Sequence, residues 1–272
     1  MRLLNLFFVV PDLEVLSERD WTCGPDLKVN TAFAPPDWNG FDESALELSL
    51  RVSDPPEALS GVQRCALTVG GPSCEPFLKT LAALQFDELI RVEPGDADLR
   101  FCPEAAARIV KAVAETKFRP DFILTGTREQ ISESACVPQV TAELLGWPCL
   151  TQVMDLHAAG RNRLRVVCAE DGGVSARIVS APCVLGVGNA PGAYLRVPTL
   201  KDKIKYGKKA VTRMTLSDFP ETEKPLADPD VRLRSLTRIR KERAGVILDA
   251  PSPEEKAEIL WERYLEGRVR RG

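Results

Sequence analysis

One stretch of the chain, from Arg119 to Pro148, constrains the fold more than any other. It begins with a short apolar run, Asp121–Leu124, which is typical of a buried strand, and Thr125-Gly126-Thr127 ends that run. After a polar loop, Ala135–Leu145 has the apolar spacing of a helix, and Gly146 ends it. A strand followed in this way by a helix is typical of the βαβ units that build parallel sheets.

The same stretch has the layout of a phosphate-binding turn. The first turn of a helix presents unpaired N–H groups, and its dipole favours an anion. Ser132 and Ser134 would add hydroxyl donors at that place, and Arg128 would add a positive charge. An alternative stays open, because every strand–helix joint needs a loop, and either serine would serve as a helix cap without any ligand.

The alternation of strand and helix patterns runs through the first two thirds of the chain. Strands are predicted at Leu3–Val10, Gln63–Val69 and Glu88–Val92, and helices at Phe41–Val52, Cys74–Leu84 and Pro103–Lys117. This alternation predicts an α/β fold, with a doubly wound, mostly parallel sheet and helices on both of its faces.

The last third of the chain has a different pattern. Strands are predicted at Leu150–Leu156, Arg163–Glu170, Val174–Val179 and Pro182–Val187. An Asp-Gly-Gly sequence between the second and third of these strands predicts a hairpin turn. Pro220–Pro229 has the composition of a linker, and Pro253–Arg270 has the apolar stripe of an amphipathic helix. We therefore expect an α/β domain with a hairpin region over residues 1–200 and an extended C-terminal arm over residues 201–272.

Composition argues against several kinds of site. The 272 residues carry a net charge of −3, and no apolar run reaches the roughly 20 residues of a membrane span, so we expect neither nucleic-acid binding nor membrane insertion. The opening MRLLNLFFVVPD resembles a buried first strand more than an export signal, which predicts a cytoplasmic protein. The eight cysteines form no CxxC pair and are expected to be buried, reduced thiols, and there is one histidine, so we expect no metal centre and no histidine catalysis.

Taken in order, six segments of the chain resemble the β subunit of the electron-transfer flavoproteins. They are FFVVPD (Phe7–Asp12), NGFDE (Asn39–Glu43), GGP (Gly70–Pro72), DFILTGTR (Asp121–Arg128), LLGWP (Leu144–Pro148) and the tail Gly245–Ala257. No single motif is decisive, but their order and spacing over nearly the whole chain are specific.

The resemblance implies an adenine-nucleotide-hydrolase-like α/β fold with a C-terminal arm on an α subunit. It implies half of a heterodimer that carries electrons between a flavin dehydrogenase and an acceptor, hence an electron carrier rather than a catalyst with its own substrate. FAD would lie mainly on the α subunit, and this chain would hold AMP or a second FAD. The residues that match the nucleotide site of the family are Leu6, Asn39, Gly70, Gly126, Ser132, Glu133, Ser134, Cys136 and Val137.

Departures from the family concentrate in the polar half of this nucleotide site. Of the loop positions that are acidic in the family, only the one held by Glu133 keeps an acidic side chain. Cys136 stands where Gln is usual, and Pro138 stands where Gly is usual. Pro138 removes a backbone N–H from the turn expected to meet a phosphate. Phe8 replaces the lysine of the opening motif. Two alternatives stay open: a β-type scaffold that has lost its own nucleotide site, and a stand-alone adenine-nucleotide-binding protein of the same fold.

A further departure concerns the partner. In the family, a loop after the last core strand inserts a leucine into acyl-CoA dehydrogenases, whereas the matching stretch Gly186–Tyr194 has Gly188 in that place. Buried apolar anchors of this kind supply much of the binding energy of an interface. We therefore expect a dedicated flavin dehydrogenase or a membrane-linked oxidoreductase as the partner.

Overall fold

The computed structural model describes residues 1–17, 19–54, 59–95, 97, 99, 101–128, 135–219, 233–237 and 245–269. The chain divides into two compact units, Met1–Ser235 and Leu236–Gly272. The boundary that we expect at residue 200 stays a prediction.

The larger unit is built on a nine-stranded sheet. The strands of the chain are β1 (Arg2–Phe7), β2 (Val9–Pro11), β3 (Pro36–Trp38), β4 (Gln63–Val69), β5 (Glu88–Glu93), β6 (Phe122–Gly126), β7 (Cys149–Ala158), β8 (Arg163–Glu170), β9 (Gly173–Ser180), β10 (Cys183–Val187) and β11 (Thr212–Thr215). The order across the sheet is β11-β5-β4-β1-β6-β10-β7-β8-β9, while β2 and β3 form a separate antiparallel pair. Neighbouring strands are parallel from β11 to β7, and β7, β8 and β9 form an antiparallel meander.

The described part of the larger unit contains five α-helices. They are α1 (Gly40–Arg51), α2 (Glu75–Ala83), α3 (Pro103–Val113), α4 (Val137–Leu145) and α5 (Leu200–Tyr206). A π-helical turn, Ala114–Phe118, continues α3. The smaller unit contains α6 (Pro253–Leu260), a π-helical turn at Trp261–Leu265 and α7 (Glu266–Val269). No helix in the described ranges is long and apolar enough to cross a bilayer.

Alternate residues of β1 enter different hydrophobic clusters. Leu4 and Leu6 pack in a cluster with Val110 of α3, whereas Leu3 packs in a cluster with Leu48 of α1. Since successive side chains of a strand point to opposite faces, helices cover both faces of the sheet. This arrangement confirms the predicted doubly wound, mostly parallel α/β class.

The first strand is shorter than predicted. β1 ends at Phe7 rather than at Val10, because the backbone N–H of Phe8 donates to the Asp42 carboxylate and its carbonyl accepts from the N–H of Asn39. Both groups are therefore used by the beginning of α1, and the chain leaves the sheet to pair as β2 with β3.

Several other elements differ between the sequence prediction and the structure. The sequence analysis missed β3, α5 and β11, and α4 begins two residues later than predicted, at Val137. The predicted helix Pro103–Lys117 is α-helical only to Val113 and then π-helical. The predicted linker Pro220–Pro229 lies outside the described residues, and so does Arg270 at the end of the predicted tail helix.

All eight cysteines are free thiols, and six of them are buried or half-buried. Desolvation raises the pKa of the Cys149 thiol to about 11 and that of Cys183 to about 12, so both are neutral at neutral pH. Cys23 and Cys136 differ from the expectation, because they are exposed. Within the described ranges, no cluster of His, Cys, Asp or Glu has the arrangement of a metal site.

Candidate functional site

The strand order reverses between β1 and β6. From β1 the chain moves outward to β4 and β5, and it then returns to place β6 on the opposite side of β1. Doubly wound proteins bind ligands in the crevice outside the carboxyl ends of the strands at such a reversal. Four predicted site residues lie at this edge of the sheet. Leu6 and Gly126 are near the carboxyl ends of β1 and β6, Gly70 follows β4, and Asn39 precedes α1.

The carboxylate of Asp42, in the first turn of α1, occupies the middle of this edge. Its Oδ1 accepts a hydrogen bond from the N–H of Gly126 at 2.7 Å, and its Oδ2 accepts one from the N–H of Phe8 at 2.9 Å. Only 1% of the residue is exposed. One buried side chain thus joins the ends of β1 and β6 to the start of α1. The sequence analysis missed this role, although Asp42 belongs to the quoted NGFDE motif.

Asn39 connects this carboxylate to the loop that follows β6. Its side-chain Nδ2 donates to Asp42 Oδ2 at 2.9 Å and to the carbonyl of Arg128 at 3.0 Å. Asn39 is the N-cap residue of α1 and is 1% exposed, yet its side chain makes no capping hydrogen bond to the helix. Its amide therefore serves contacts between segments rather than the helix end.

Two of the predicted glycines are required by contacts inside the protein. A Cβ on Gly126 would lie 2.5 Å from Asp42 Oδ1 and 2.8 Å from the Cβ of Phe41. A Cβ on Gly70 would lie 2.6 Å from the Sγ of Cys74. The missing side chains thus allow α1 and the turn before α2 to approach the strand ends closely.

The remaining predicted residues lie in the core or at the start of α4. The side chain of Leu6 is fully buried and packs in the core. Cys136 is the exposed N-cap of α4 and makes no side-chain capping bond, while Val137 is buried as the first helical residue. Ser132, Glu133 and Ser134 lie outside the described residues. The site residues that the structure brings together are Asn39 and Gly126, through Asp42.

Pro138 occupies the first turn of α4, where proline is well tolerated because the N–H it lacks has no partner within the helix. Its ring is packed against β10: a Cβ on Gly186 would lie 2.9 Å from Pro138 Cγ. This proline therefore contributes to packing between α4 and the sheet, in addition to removing one possible donor from the turn.

A buried arginine behind Gly70 was also missed by the sequence analysis. Arg91, on β5, is 5% exposed, and its guanidinium lies 3.4 Å from carboxylate oxygens of both Glu75 and Glu93. The same guanidinium donates a 3.4 Å hydrogen bond to the carbonyl of Gly70. Its positive charge is shared with two carboxylates, so it stabilises the ends of β4 and β5.

The stretch after β10 is held against α1 by an ion-pair network. Nη2 of Arg196 lies 2.7 Å from Glu47 and 2.6 Å from Asp54. The hydrogen bond from Arg196 lowers the pKa of the Asp54 carboxyl, and the two carboxylates raise the pKa of Arg196. Two residues earlier, Tyr194 is 79% exposed. The ion pairs of Arg196 therefore hold in place the backbone that carries the exposed Tyr194.

The amino-acid sequence is similar to one protein-family model and to several known proteins. Residues 28–218 match the family model described as the electron transfer flavoprotein domain. The putative electron transfer flavoprotein subunit YgcR of Escherichia coli (strain K12) is 29% identical over 99% of both chains. The electron transfer flavoprotein subunit beta of Bacillus subtilis (strain 168) is 27% identical over 82% of this chain and 83% of that one.

A third relative is the electron transfer flavoprotein subunit beta of Bradyrhizobium diazoefficiens, 28% identical over 66% of this chain and 69% of its own length. The match to the family model spans well over half of the 272 residues and includes β4 to β11 with the helices between them. The resemblance found in the sequence is thereby confirmed, and this chain belongs to the electron transfer flavoprotein family, in its β-subunit and FixA group.

Proposed function

We propose that this chain is the β-type subunit of a two-subunit electron transfer flavoprotein. With an α subunit, it would shuttle electrons between a flavin dehydrogenase and an acceptor. FAD supplies the redox chemistry when it is bound, and the protein positions the flavin and adjusts its surroundings. Family membership and the names of the relatives support this proposal. The free thiols support a reducing, cytoplasmic location.

We further propose that the crevice between β1 and β6 holds an adenine nucleotide. The observation that carries this proposal is the strand reversal, with Asn39 and Gly126 at the carboxyl ends where such folds bind ligands. The beginning of α4 also supports a bound nucleotide, because the side chain of the N-cap residue Cys136 accepts no hydrogen bond from the first-turn N–H groups of this helix. The group of residues proposed to hold the nucleotide is Leu6 (through its backbone), Asn39, Gly70, Gly126, Ser132, Glu133, Ser134, Cys136 and Val137.

The nucleotide would be AMP or a second FAD, with the electron-transferring FAD mainly on the α subunit. The scaffold alternative, in which this chain has lost its own nucleotide, draws support from Pro138, which removes a donor from the first turn of α4. A stand-alone adenine-nucleotide-binding protein draws support only from the fold.

Cofactor analysis of the complex, purified with its α-type subunit, tests these proposals. Released flavin and adenine nucleotide are quantified against protein by chromatography. One flavin with one AMP supports the leading proposal, two flavins indicate a second FAD, and one flavin without adenine nucleotide supports the scaffold. If this chain expressed alone is monodisperse and flavin-loaded, the two-subunit proposal is wrong.

A further inference from the structure

Two side chains in the interior carry an oxygen atom that has no hydrogen-bond partner among the described residues. They are Asn5, in the middle of β1, with its Oδ1, and Ser49, in the last turn of α1, with its Oγ. Both residues are 0% exposed. Taking a polar atom out of water without a replacement hydrogen bond is costly, so buried oxygens nearly always have a partner.

The amide group of Asn5 has a definite orientation. Its Nδ2 donates to the backbone carbonyls of Cys65, at 3.2 Å, and of Leu3, at 3.4 Å. An oxygen in the place of this nitrogen would face two carbonyl oxygens, so Oδ1 is the atom that still needs a donor. The neighbouring residues Leu4 and Leu6 pack with α3. Since successive residues of a strand face opposite sides, Asn5 belongs to the face that α1 covers.

The apolar neighbours of Ser49 place it over Asn5. The residue before Ser49 packs in the cluster of Leu3, and the residue after it packs in the cluster of Phe7. Leu3 and Phe7 lie on the same face of β1 as Asn5, on either side of it. Ser49 is therefore between the same two clusters as Asn5.

The positions along the two elements agree with this placement. α1 begins at the carboxyl end of β1, where Asp42 accepts the hydrogen bond from Phe8, and its last turn packs in the cluster of Leu3. Ser49 follows Asp42 by about 10 Å along the helix. Asn5 precedes Phe8 by about 10 Å along the strand. The two oxygens thus lie at the same level, on the facing surfaces of α1 and β1.

We propose that one internal water molecule bridges Oδ1 of Asn5 and Oγ of Ser49, between α1 and the sheet. The two oxygens do not bond to each other directly, since neither has a partner among the described residues. A water donates one proton to the amide oxygen, which only accepts, and makes a second hydrogen bond with the hydroxyl in either direction. Internal waters make about two to four bonds of this kind to polar groups that have no other partner. The inference does not depend on whether the crevice holds a nucleotide.

A crystal structure of the purified two-subunit complex, at a resolution that shows ordered water, tests the site directly. We expect one water within about 2.7–3.2 Å of both oxygens. A direct hydrogen bond between Ser49 and Asn5 overturns the inference. It is also overturned if the hydroxyl of Ser49 donates to the carbonyl of Ala45, or if a water contacts only one of the two oxygens.

A double-mutant cycle tests the bridge in solution. Ser49→Ala removes one end of the bridge and leaves the other oxygen buried, so it should lower the folding equilibrium constant by about tenfold. In an Asn5→Leu background there is no bridge to lose, and Ser49→Ala should change this constant by less than about twofold. The constants are measured by urea titration of the two-subunit complex at one fixed concentration, followed by circular dichroism. Equal effects of Ser49→Ala in the two backgrounds overturn the inference.

Ser44→Ala is the matched control on the same helix. Ser44 is half-buried, so its hydroxyl has access to solvent, and the substitution brings the same change in helix propensity. We expect it to alter the folding equilibrium constant by less than about threefold, and equally in both backgrounds. If Ser44→Ala destabilises the complex as much as Ser49→Ala does, the inference is wrong. Should Asn5→Leu fail to fold, the crystal structure and the comparison of the two serine variants decide the matter.

Discussion

Oδ1 of Asp42 lies 2.7 Å from the backbone nitrogen of Gly126, and this contact depends on the absence of a side chain at position 126. Gly126 does not have a positive φ, so its backbone conformation is open to other residues. The constraint is steric: α1 approaches the end of β6 so closely that one additional carbon would meet the carboxylate and Phe41.

Gly126→Ala should destabilise the protein by about 2–3 kcal/mol, because an added methyl group in a closely packed contact forces a local shift. Urea unfolding followed by circular dichroism measures the change. Gly172→Ala is the matched control, since its added Cβ would meet nothing within 4 Å, and its cost should stay within about 0.5 kcal/mol. Equal effects of the two substitutions would contradict the close approach of α1 to β6.

Arg196→Met should cost about 1–3 kcal/mol at neutral pH, because Glu47 is almost buried and would lose its closest cation. The pKa of Asp54 is lowered by the hydrogen bond from Arg196, so this part of the stabilisation is present above the ordinary value of 3.8 and is lost as the pH falls below it. Unfolding free energies of wild type and variant should therefore converge at acidic pH. Arg161→Met, at an exposed turn, should show no such convergence, and a pH-independent difference would argue against the pairing with Asp54.

Glu43→Gln should stabilise the protein slightly at pH 7. Desolvation raises the pKa of Glu43 above its ordinary value of 4.5, so the charged form is less favourable in the folded than in the unfolded chain. The penalty is present above the folded pKa and disappears as the pH falls below 4.5, where the carboxyl is protonated in both states. Since the group is partly exposed, we expect less than about 1 kcal/mol. Melting temperatures across pH 4–7 check this, and a less stable variant at pH 7 would refute it.

The C-terminal helices expose Trp261 and Tyr264, with 47% and 37% of their surface accessible. If this face binds the α subunit, replacing both residues with Ala should weaken the two-subunit complex by roughly 10- to 100-fold, as expected for aromatic anchors. The affinity is measured by surface plasmon resonance with the α subunit immobilised. Glu262→Ala, between the two aromatic residues, is the control and should have little effect. Unchanged affinity in the double variant would place the contact elsewhere.

The stretch Gly186–Tyr194 offers no leucine to a dehydrogenase. Val187 is fully buried in β10, and Tyr194 is the large exposed side chain of these nine residues. We expect the assembled complex to be reduced slowly by a generic medium-chain acyl-CoA dehydrogenase, because no apolar anchor of the usual kind is available. Stopped-flow flavin reduction tests this expectation. Rapid reduction at sub-micromolar dehydrogenase, unaffected by Tyr194→Ala, would refute the prediction of a dedicated partner.

Elements set by local apolar periodicity could be predicted from the sequence. The strand at Gln63–Val69 and the helix that follows Asn39 have a continuous apolar pattern, and the structure places both within a residue of the prediction. By contrast, β11 has the unremarkable sequence Thr-Arg-Met-Thr and becomes a strand only because β5, more than 100 residues earlier, presents a free parallel edge.

The candidate site likewise contains residues that sequence motifs predict and one residue whose role only the tertiary packing reveals. Family motifs pointed to Asn39 and Gly126, but no local pattern indicates that Asp42 would accept hydrogen bonds from residues 34 positions before it and 84 positions after it. The carboxylate could equally have been a first-turn residue that interacts with the helix dipole. Only the packing of α1 across the ends of β1 and β6 distinguishes the two roles.

The position of β10 has a consequence for synthesis on the ribosome. β10 follows β9 in the chain, yet it lies between β6 and β7, which each pair with it rather than with one another. The first half of the sheet and the β7–β9 meander therefore emerge as separate pieces, each with an open edge, until residues 183–187 arrive. Unpaired edges are sites of intermolecular pairing. The nascent chain is thus most exposed to aggregation just before its last fully buried strand is translated.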